Sequence, residues 1–340
     1  MKNKKHSLAL VAIFKNEADI LEEFIDHHLW QGVDRFYLTN NNSEDDYQSV
    51  IDKYKKYVTL FQNNSKSFDI KDTEPDIQGV QLDEYNLAIK RVEEDWTLVC
   101  DLDEFFYTRK GMTFDKIFDQ MDDEECSQLV IPQKSFNSNG LATQPKSLRK
   151  SFCSRRIQKI RSYFSIHKSI VRTKHWKKAA ITAQQIEQGY TVLSDLDFAG
   201  KTTWFTRNPY FHALFLSDNL EREPDRNMIR TWEGISNYRY LEEDFFEKCF
   251  VTSNHYMCQS YARWRKNKML KGWAVKPSVG SDIHTKDSYY VNRWNSLHVA
   301  GRDKDRLNKR GALQMHPHVD WCINDYELKN LVEDHERQGK

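Results

Sequence analysis

Glycine and proline are scarce in this chain, with 12 and 7 residues in 340. That scarcity excludes collagen-like and low-complexity architectures. It also leaves no glycine-rich loop of the kind that cradles a phosphate. Cysteine is sparse as well. The six residues Cys100, Cys126, Cys153, Cys249, Cys258 and Cys322 include no C-x-x-C pair, which argues against a thiolate zinc site or a dithiol redox motif. Free thiols in a reducing compartment are the plain expectation. Long apolar runs are missing too. The longest, Leu8–Phe14, is far short of the roughly 20 residues a membrane span needs. Lys2, Lys4 and Lys5 precede it as in a signal peptide, but Lys15-Asn16-Glu17 stands where a small-residue cleavage site belongs. The run reads as a buried first strand. Finally, the chain lacks a net charge. Lys plus Arg is 51 against 50 Asp plus Glu, formally +1, which argues against a general nucleic-acid binder.

The neutral sum hides a division. Residues 1–110 carry 14 basic and 22 acidic side chains, and residues 111–340 carry 37 and 28. From Cys126 to Ile186 there is no acid and there are 13 Lys and Arg; from Lys248 to Ser281 there is again no acid, with seven basic residues. Such stretches suit anion binding, contact with an anionic membrane surface, or pairing with the acidic N-terminal half.

The first hundred residues alternate strand and helix signals. Leu8–Phe14 is a continuous apolar run, as in strands buried on both faces of a parallel sheet. Ile20, Leu21, Phe24, Ile25, His28 and Leu29 recur at helical spacing before Gly32, a natural helix stop. Arg35–Thr39 reads as a second strand and Asn40–Ser43 as a loop. Tyr47, Val50, Ile51 and Tyr54 form a second helical stripe, and Val58–Phe61 a third strand. A polar loop from Asn63 to Gln78 leads to a third helix (Leu82, Tyr85, Ile89, Val92) and a fourth strand, Trp96–Cys100. The pattern predicts an α/β fold with a parallel sheet. Ligands in such sheets bind at the carboxyl ends of strands. Those ends are Lys15–Glu17, Asn40–Asp45, the stretch after Phe61, and Asp101–Glu104. Later signals are a strand at Leu129–Ile131, a loop at Phe136–Gly140, a strand at Ser169–Arg172 and a basic helix from Tyr256 to Lys271. There is no internal repeat and no linker, so residues 1–330 read as one domain followed by a polar tail, 331–340.

Asp101 and Asp103 flank Leu102. If the fourth strand continues through them, both carboxylates share a face. Two like charges there require a cation or a proton. A hard divalent ion with oxygen ligands, Mg²⁺ or Mn²⁺, fits, and an ion held by two carboxylates keeps positions open for substrate phosphates. The bland alternative is an acidic strand end wetted by solvent. An aspartyl-phosphate mechanism fits less well, because that D-x-D lies on a first strand and continues into Thr or Val, whereas here Glu104-Phe105 follows.

Several motifs in order form a pattern: Lys15-Asn16-Glu17, an apolar helix to His28, Gly32-Val33-Asp34-Arg35-Phe36-Tyr37, Asn41-Asn42-Ser43-Glu44-Asp45, Gln81, Tyr85-Asn86, Trp96 and Asp101-Leu102-Asp103-Glu104-Phe105. Phe136–Gly140, His167–Val171, Asn254-His255-Tyr256, Ser260 and Lys271-Gly272 continue it. Together they resemble the GT-A glycosyltransferases of family 92 and the family 2-like group. The chain departs from the pattern at Asn40 (often Asp), Asn137 (often Gly) and Gln259 (where Lys is expected).

The resemblance implies a GT-A fold, that is, a Rossmann-like, mixed and mostly parallel sheet flanked by helices, as in nucleotide-diphospho-sugar transferases. Residues 1–110 would be the nucleotide- and metal-binding half, and 111–330 the acceptor-binding half that completes the sheet. The implied activity is metal-dependent transfer of a sugar from a UDP- or GDP-sugar to a glycan or glycoconjugate hydroxyl, with inversion, in surface polysaccharide or glycoprotein glycan synthesis. Asp101 and Asp103 would hold Mn²⁺ or Mg²⁺ on the donor diphosphate. Asp103 would be the more direct ligand, assisting departure of the leaving group. His255 would be a third ligand or a phosphate contact, or else a packed histidine beside Tyr256. Phe14, Lys15, Asn16, Glu17, Asn42, Asp45 and Gln81 would line the nucleotide, although Glu17 and Gln81 also suit helix-end roles and Asn42 and Asp45 ordinary loop capping. Lys168, Arg155, Arg156 and Lys271 are candidate pyrophosphate or acceptor contacts, or solvated surface charges. Trp176, Trp204, Trp232, Trp264 and Trp273 suit sugar stacking or core packing. Inversion needs a base for the acceptor proton. It should be an Asp or Glu of the second half; Asp195 and Asp197 are candidates, and the sequence does not identify the base. A nucleotidyl- or phosphotransferase on the same carboxylates, or a non-catalytic carbohydrate- or anion-binding protein, are the competing readings. The expected location is cytoplasmic, soluble or peripheral to a membrane.

Overall fold

The computed structural model describes residues 4–63, 77–123, 126–156, 167–176, 201–204, 249–256, 259–266 and 322–339. In chain order, β1 (Leu8–Phe14), α1 (Ala18–Gln31), β2 (Arg35–Asn40), α2 (Tyr47–Lys53), β3 (Val58–Gln62), α3 (Ile77–Arg91) and β4 (Trp96–Val99) alternate, as the periodicity predicts. Then follow β5 (Glu104–Thr108), α4 (Phe114–Asp123), β6 (Cys126–Ser135), α5 (Leu148–Ser151), β7 (Ser154–Arg156) and β8 (His167–Arg172). The remaining elements are α6 (Thr173–Trp176), β9 (Lys201–Trp204), β10 (Val251–His255), α7 (Tyr261–Arg263), β11 (Cys322–Asn324) and α8 (Glu327–Arg337). The chain groups into two compact units, Met1–Gln133 with Gln158–Ser253, and Lys134–Ile157 with Asn254–Lys340.

In the first unit, β1 pairs in parallel with β2 on one side and β4 on the other, and β2 pairs in parallel with β3. Strand order therefore reverses between β1 and β4, which is where α/β sheets open a ligand crevice at their carboxyl ends. The sheet extends through β8, antiparallel to β4 and β6, to the full order β3-β2-β1-β4-β8-β6-β10-β5, with β9 parallel to β6. The fold is thus the expected mixed α/β sheet, its N-terminal four strands parallel and strands from the second half of the chain completing it.

Helices cover both faces. Tyr85, Ala88, Ile89 and Val92 of α3 pack on Ala9, Val11, Tyr37, Val99 and Val171. On the opposite face, reached by the alternate residues of β2, Phe24 of α1 meets Phe36 and Phe105 edge-on. The Trp96 ring stacks on Phe118 of α4 at 4.5 Å and 9°, and the Arg172 guanidinium lies 4.4 Å over the same indole. No described helix is long and apolar enough to cross a membrane.

Helix α1 stops as its glycine predicts. Gly32 adopts φ 100°, its N–H donates to Leu29 O at 3.0 Å, and Val33 N–H donates to His28 O at 2.8 Å, closing a Schellman cap. The same helix covers a sheet edge. β5 ends the strand order, so one row of its backbone groups has no strand neighbour among the described residues. Phe106 N–H donates to Nε2 of buried His28 (3.4 Å) and His27 Nε2 bonds Phe106 O (2.7 Å). Thr108 N–H donates to the Gln31 side-chain oxygen (2.9 Å). Three polar side chains of α1 thus do the hydrogen bonding that a further strand would do. Helical periodicity places His28 on the buried stripe but does not reveal this use.

In the second unit, β7 pairs antiparallel with β11, and α8 packs on α5 with Leu328 and Val332 buried. The stretch read as a polar tail, 331–340, thus begins inside α8, whose buried residues are Leu328 and Val332. The basic helix expected from Tyr256 is corrected. Among the described residues it starts at Tyr261, where the Ser260 hydroxyl accepts from Arg263 N–H at 3.2 Å as an N-cap.

Candidate active site

The loops after β1 and β2 are stitched together. Asn41 N–H donates to the carbonyl of buried Phe14 (2.8 Å), Asn16 N–H to Ser43 Oγ (2.9 Å), and Glu44 N–H to Asn16 Oδ1 (2.7 Å). Asn16 and Asn42 take positive φ, 55° and 53°, which asparagine tolerates better than most residues. Asp45 accepts Ala18 N–H at 2.8 Å, so its carboxylate caps α1 from the neighbouring loop. Lys15 and Glu17 are half-buried and Asn42 is exposed. The Glu17 carbonyl accepts Ile20 and Leu21 N–H, each at 3.1 Å.

Asn40 is used as an amide. Its Oδ1 accepts Ser43 N–H (2.9 Å) while its Nδ2 donates to Gln62 (2.7 Å). An aspartate there has no hydrogen to donate to the Gln62 oxygen. Asn137 and Gln259, the other departures from the family pattern, are also hydrogen-bonded internally. Asn137 donates to Ser154 Oγ (3.0 Å), and Gln259 accepts from Gln144 (2.7 Å).

At the end of β4 the sequence expectation is corrected in detail. Asp101 and Asp103 do not alternate along a strand. Glu104 N–H donates to Asp101 O at 3.1 Å, so Asp101–Glu104 is a tight turn between β4 and β5. Leu102 is buried at its tip, Asp103 is buried, and the Asp101 side chain is 40% exposed. The turn closes because the Glu104 carboxylate, 1% exposed, accepts Asp101 N–H at 3.0 Å.

Lys168 enters this cluster from β8. That strand runs antiparallel to β4, so its first residues lie level with the end of β4. The ammonium is 2% exposed, 3.2 Å from Glu104 and 3.5 Å from Asp101. Burial alone pulls its pKa down, but Asp101 and Glu104 more than offset this, so the amine is held charged above its ordinary value. Burial, then Glu104, push the neighbouring Cys100 thiol well above its usual range. Lys168 is thus a buried counter-ion to carboxylates rather than a solvated charge. Its signal in the sequence was a lysine beside the apolar run Ile170-Val171, since a buried ammonium needs a carboxylate nearby.

The turn brings the carboxylates of Asp101, Asp103 and Glu104 into four consecutive positions, with the Lys168 ammonium against Asp101 and Glu104. The donors are all carboxylate oxygens, the chemistry that suits Mg²⁺ or Mn²⁺. Among the described residues no group of three or more His, Cys, Asp or Glu is arranged to hold a metal. An ion at this turn would draw on Asp101 and Asp103, with substrate or water completing its shell.

The remaining candidates are placed as follows. Gln81 lies in α3. His255 ends β10 in the second unit, buried, its carbonyl accepting Phe136 N–H at 2.9 Å. Trp264 is fully buried, as core packing requires. Asp195, Asp197 and Lys271 lie outside the described residues. Arg155 is corrected as a candidate phosphate contact: it is buried in the second unit with its guanidinium on Asp325, which also takes Lys134 Nζ at 2.9 Å. This ion cluster, completed by Glu327 at 2.8 Å from Lys134, went unread in the sequence because its members are nearly 200 residues apart.

The acidic turn lies beside the point where strand order reverses, the place where α/β sheets open a ligand crevice. The model of glycosyltransferase family 92 matches residues 9–199. The chain belongs to glycosyltransferase family 92. A family 92 protein of Ricinus communis is 30% identical over 105 residues, 30% of this chain and 17% of that one. One from Arabidopsis thaliana matches to the same extent, 30% over 105 residues, covering 30% and 17%. The match thus spans about a sixth of these relatives' length. Among solved structures, S. aureus TarS 1–349 in complex with UDP aligns over 65% of this chain and 69% of its own at 14% identity, TM-score 0.37. Glucosyl-3-phosphoglycerate synthase from Mycobacterium tuberculosis, with Mn²⁺, UDP and glucosyl-3-phosphoglycerate, aligns over 52% and 60% at 10% identity, TM-score 0.29. At these scores the family assignment rests on the sequence match.

Proposed function

We propose that this protein transfers a glycosyl group from a nucleotide-diphosphate sugar, UDP- or GDP-linked, to a hydroxyl of a glycan or glycoconjugate, with inversion and with the aid of Mn²⁺ or Mg²⁺. Membership of family 92 supports the reaction class. The observation that carries the site is the Asp101–Glu104 turn beside the β1/β4 switch point, with the Asp101 carboxylate 40% exposed at it. Asp101 and Asp103 would hold the cation. When bound, the ion supplies positive charge against the diphosphate leaving group. The chain's own contribution is to hold these carboxylates in a turn formed before substrate arrives, which lowers the reorganisation needed at the moment of transfer. The loops after β1 and β2, fixed to each other through Asn16, Ser43 and Asp45, form the adjacent wall for the nucleoside. An inverting transfer also requires a carboxylate to take the acceptor proton, and Asp195 and Asp197 are the positions to substitute.

The test is a thermal-shift screen of nucleoside diphosphates and nucleotide sugars with and without Mn²⁺, followed by product analysis. UDP or GDP is expected to raise the melting point in the presence of Mn²⁺. Turnover is expected to release nucleoside diphosphate and to fall at least a hundredfold in Asp101→Asn and Asp103→Asn. Release of pyrophosphate would assign nucleotidyl transfer instead. Near-wild-type turnover by either variant with Mn²⁺ supplied would remove the metal role.

A further inference from the structure

We propose that Glu104 and Lys168 act together as positioning residues for the cation-binding carboxylate of Asp101. The inference rests on the metal reading above and assigns a task to two residues outside the ligand set. Glu104 and Lys168 are sequestered from solvent and face each other at 3.2 Å. Each also reaches Asp101, by a different route. Glu104 Oε2 accepts the Asp101 backbone N–H at 3.0 Å, fixing the main chain as it leaves β4. Lys168 Nζ lies 3.5 Å from Asp101 Oδ2, giving the side chain a charged anchor on the strand beside it. A half-exposed aspartate at a turn otherwise samples several rotamers. Here two buried groups on two strands restrict it from both ends.

The arrangement also removes Glu104 from competition for the ion. Its carboxylate faces Lys168 at 3.2 Å and is 1% exposed, whereas that of Asp101 is 40% exposed. A purely structural ion pair predicts something different. Replacing the pair by neutral groups of similar shape would then leave cation binding unchanged once the protein folds, since buried pairs are often exchangeable for neutral residues without loss. Groups that orient metal ligands behave otherwise, and their replacement weakens metal affinity by about 10- to 100-fold.

The double variant Glu104→Gln with Lys168→Met separates the two. It removes one negative and one positive charge together, so the net charge of the turn is unchanged and neither buried ion is left alone. The first substitution keeps a side-chain oxygen for the Asp101 N–H, whereas the second removes the ammonium that holds the Asp101 carboxylate. Mn²⁺ is titrated into the whole chain and followed by water-proton relaxation enhancement, a readout independent of turnover. Thermal melting provides the check on folding. Positioning predicts about a tenfold weaker Mn²⁺ dissociation constant, with the melting point of the double variant above that of Lys168→Met alone. An unchanged or tighter Mn²⁺ constant in a folded double variant overturns the positioning role and leaves the metal reading standing, provided Asp101→Asn weakens the wild-type affinity. Wild-type protein that binds no Mn²⁺, or an Asp101→Asn variant that binds it equally well, overturns the metal reading and this inference with it.

Discussion

Asp325 ties the stability of the second unit to pH. Its side chain is 8% exposed and accepts charge from Lys134 and Arg155, themselves 3% and 5% exposed. Burial raises its pKa, but the two cations more than compensate, and the carboxyl falls from 3.8 to about 2. The folded value is depressed, so the contribution to stability is present above the unfolded pKa near 4 and is lost as pH falls through 2. At about 1.4 kcal/mol per pKa unit, the depression corresponds to about 2 kcal/mol. Asp325→Asn removes that titration. At pH 6 the variant also leaves the buried guanidinium of Arg155 and the ammonium of Lys134 with less compensation, a total loss of about 3–5 kcal/mol. Urea unfolding followed by circular dichroism, on both proteins at pH 6, 4, 3 and 2, checks the linkage. The gap between them is expected to narrow by about 2 kcal/mol toward pH 2. Other carboxyls titrate in both proteins and cancel in the difference. A gap that stays constant across that range refutes the reasoning, because the Asp325 charge would then contribute nothing that protonation removes.

Other substitutions probe the first unit. His28→Ala deprives Phe106 N–H of its acceptor and opens a cavity between α1 and β5, so a loss of about 3 kcal/mol is expected, with hydrogen exchange at the Phe106 amide rising sharply. Gly32→Ala meets no atom within 4 Å, so its cost of about 1 kcal/mol comes from the positive φ alone and is read as a lower melting point. Trp96→Ala removes the partner of both Phe118 and Arg172 and is expected to lose about 3–5 kcal/mol in urea unfolding. Asp45→Ala loses the cap on α1, about 1 kcal/mol of stability. Calorimetry with UDP and GDP then shows whether Asp45 also serves the nucleoside, in which case affinity falls by more than the lost cap explains.

Periodicity carried the first hundred residues well. Leu8–Phe14 reads as a strand buried on both sides because every residue in it is apolar, and α1 ends at Gly32 because only a residue free to adopt positive φ closes that cap. These are local constraints, set within one turn or one strand. β5 was not legible, since Glu104–Thr108 follows β4 after a turn of only a few residues and carries no break in composition. The role of Lys168 was half legible. A lysine in an apolar strand requires a counter-charge, but antiparallel pairing of β8 with β4 alone decides that Asp101 and Glu104 supply it.

The sequence by itself determined the alternation of strands and helices, the order of the family motifs, and the presence of acidic residues where β4 ends, because each depends on neighbours in the chain. Tertiary structure decided which charges face each other. Lys168 is set against Glu104, and Arg155 and Lys134 against Asp325, across separations of 64 to 191 residues. Charge pairing falls off over a few ångströms of space and is blind to distance along the chain. Composition therefore gives only the near-neutral sum, and the fold alone assigns its partners.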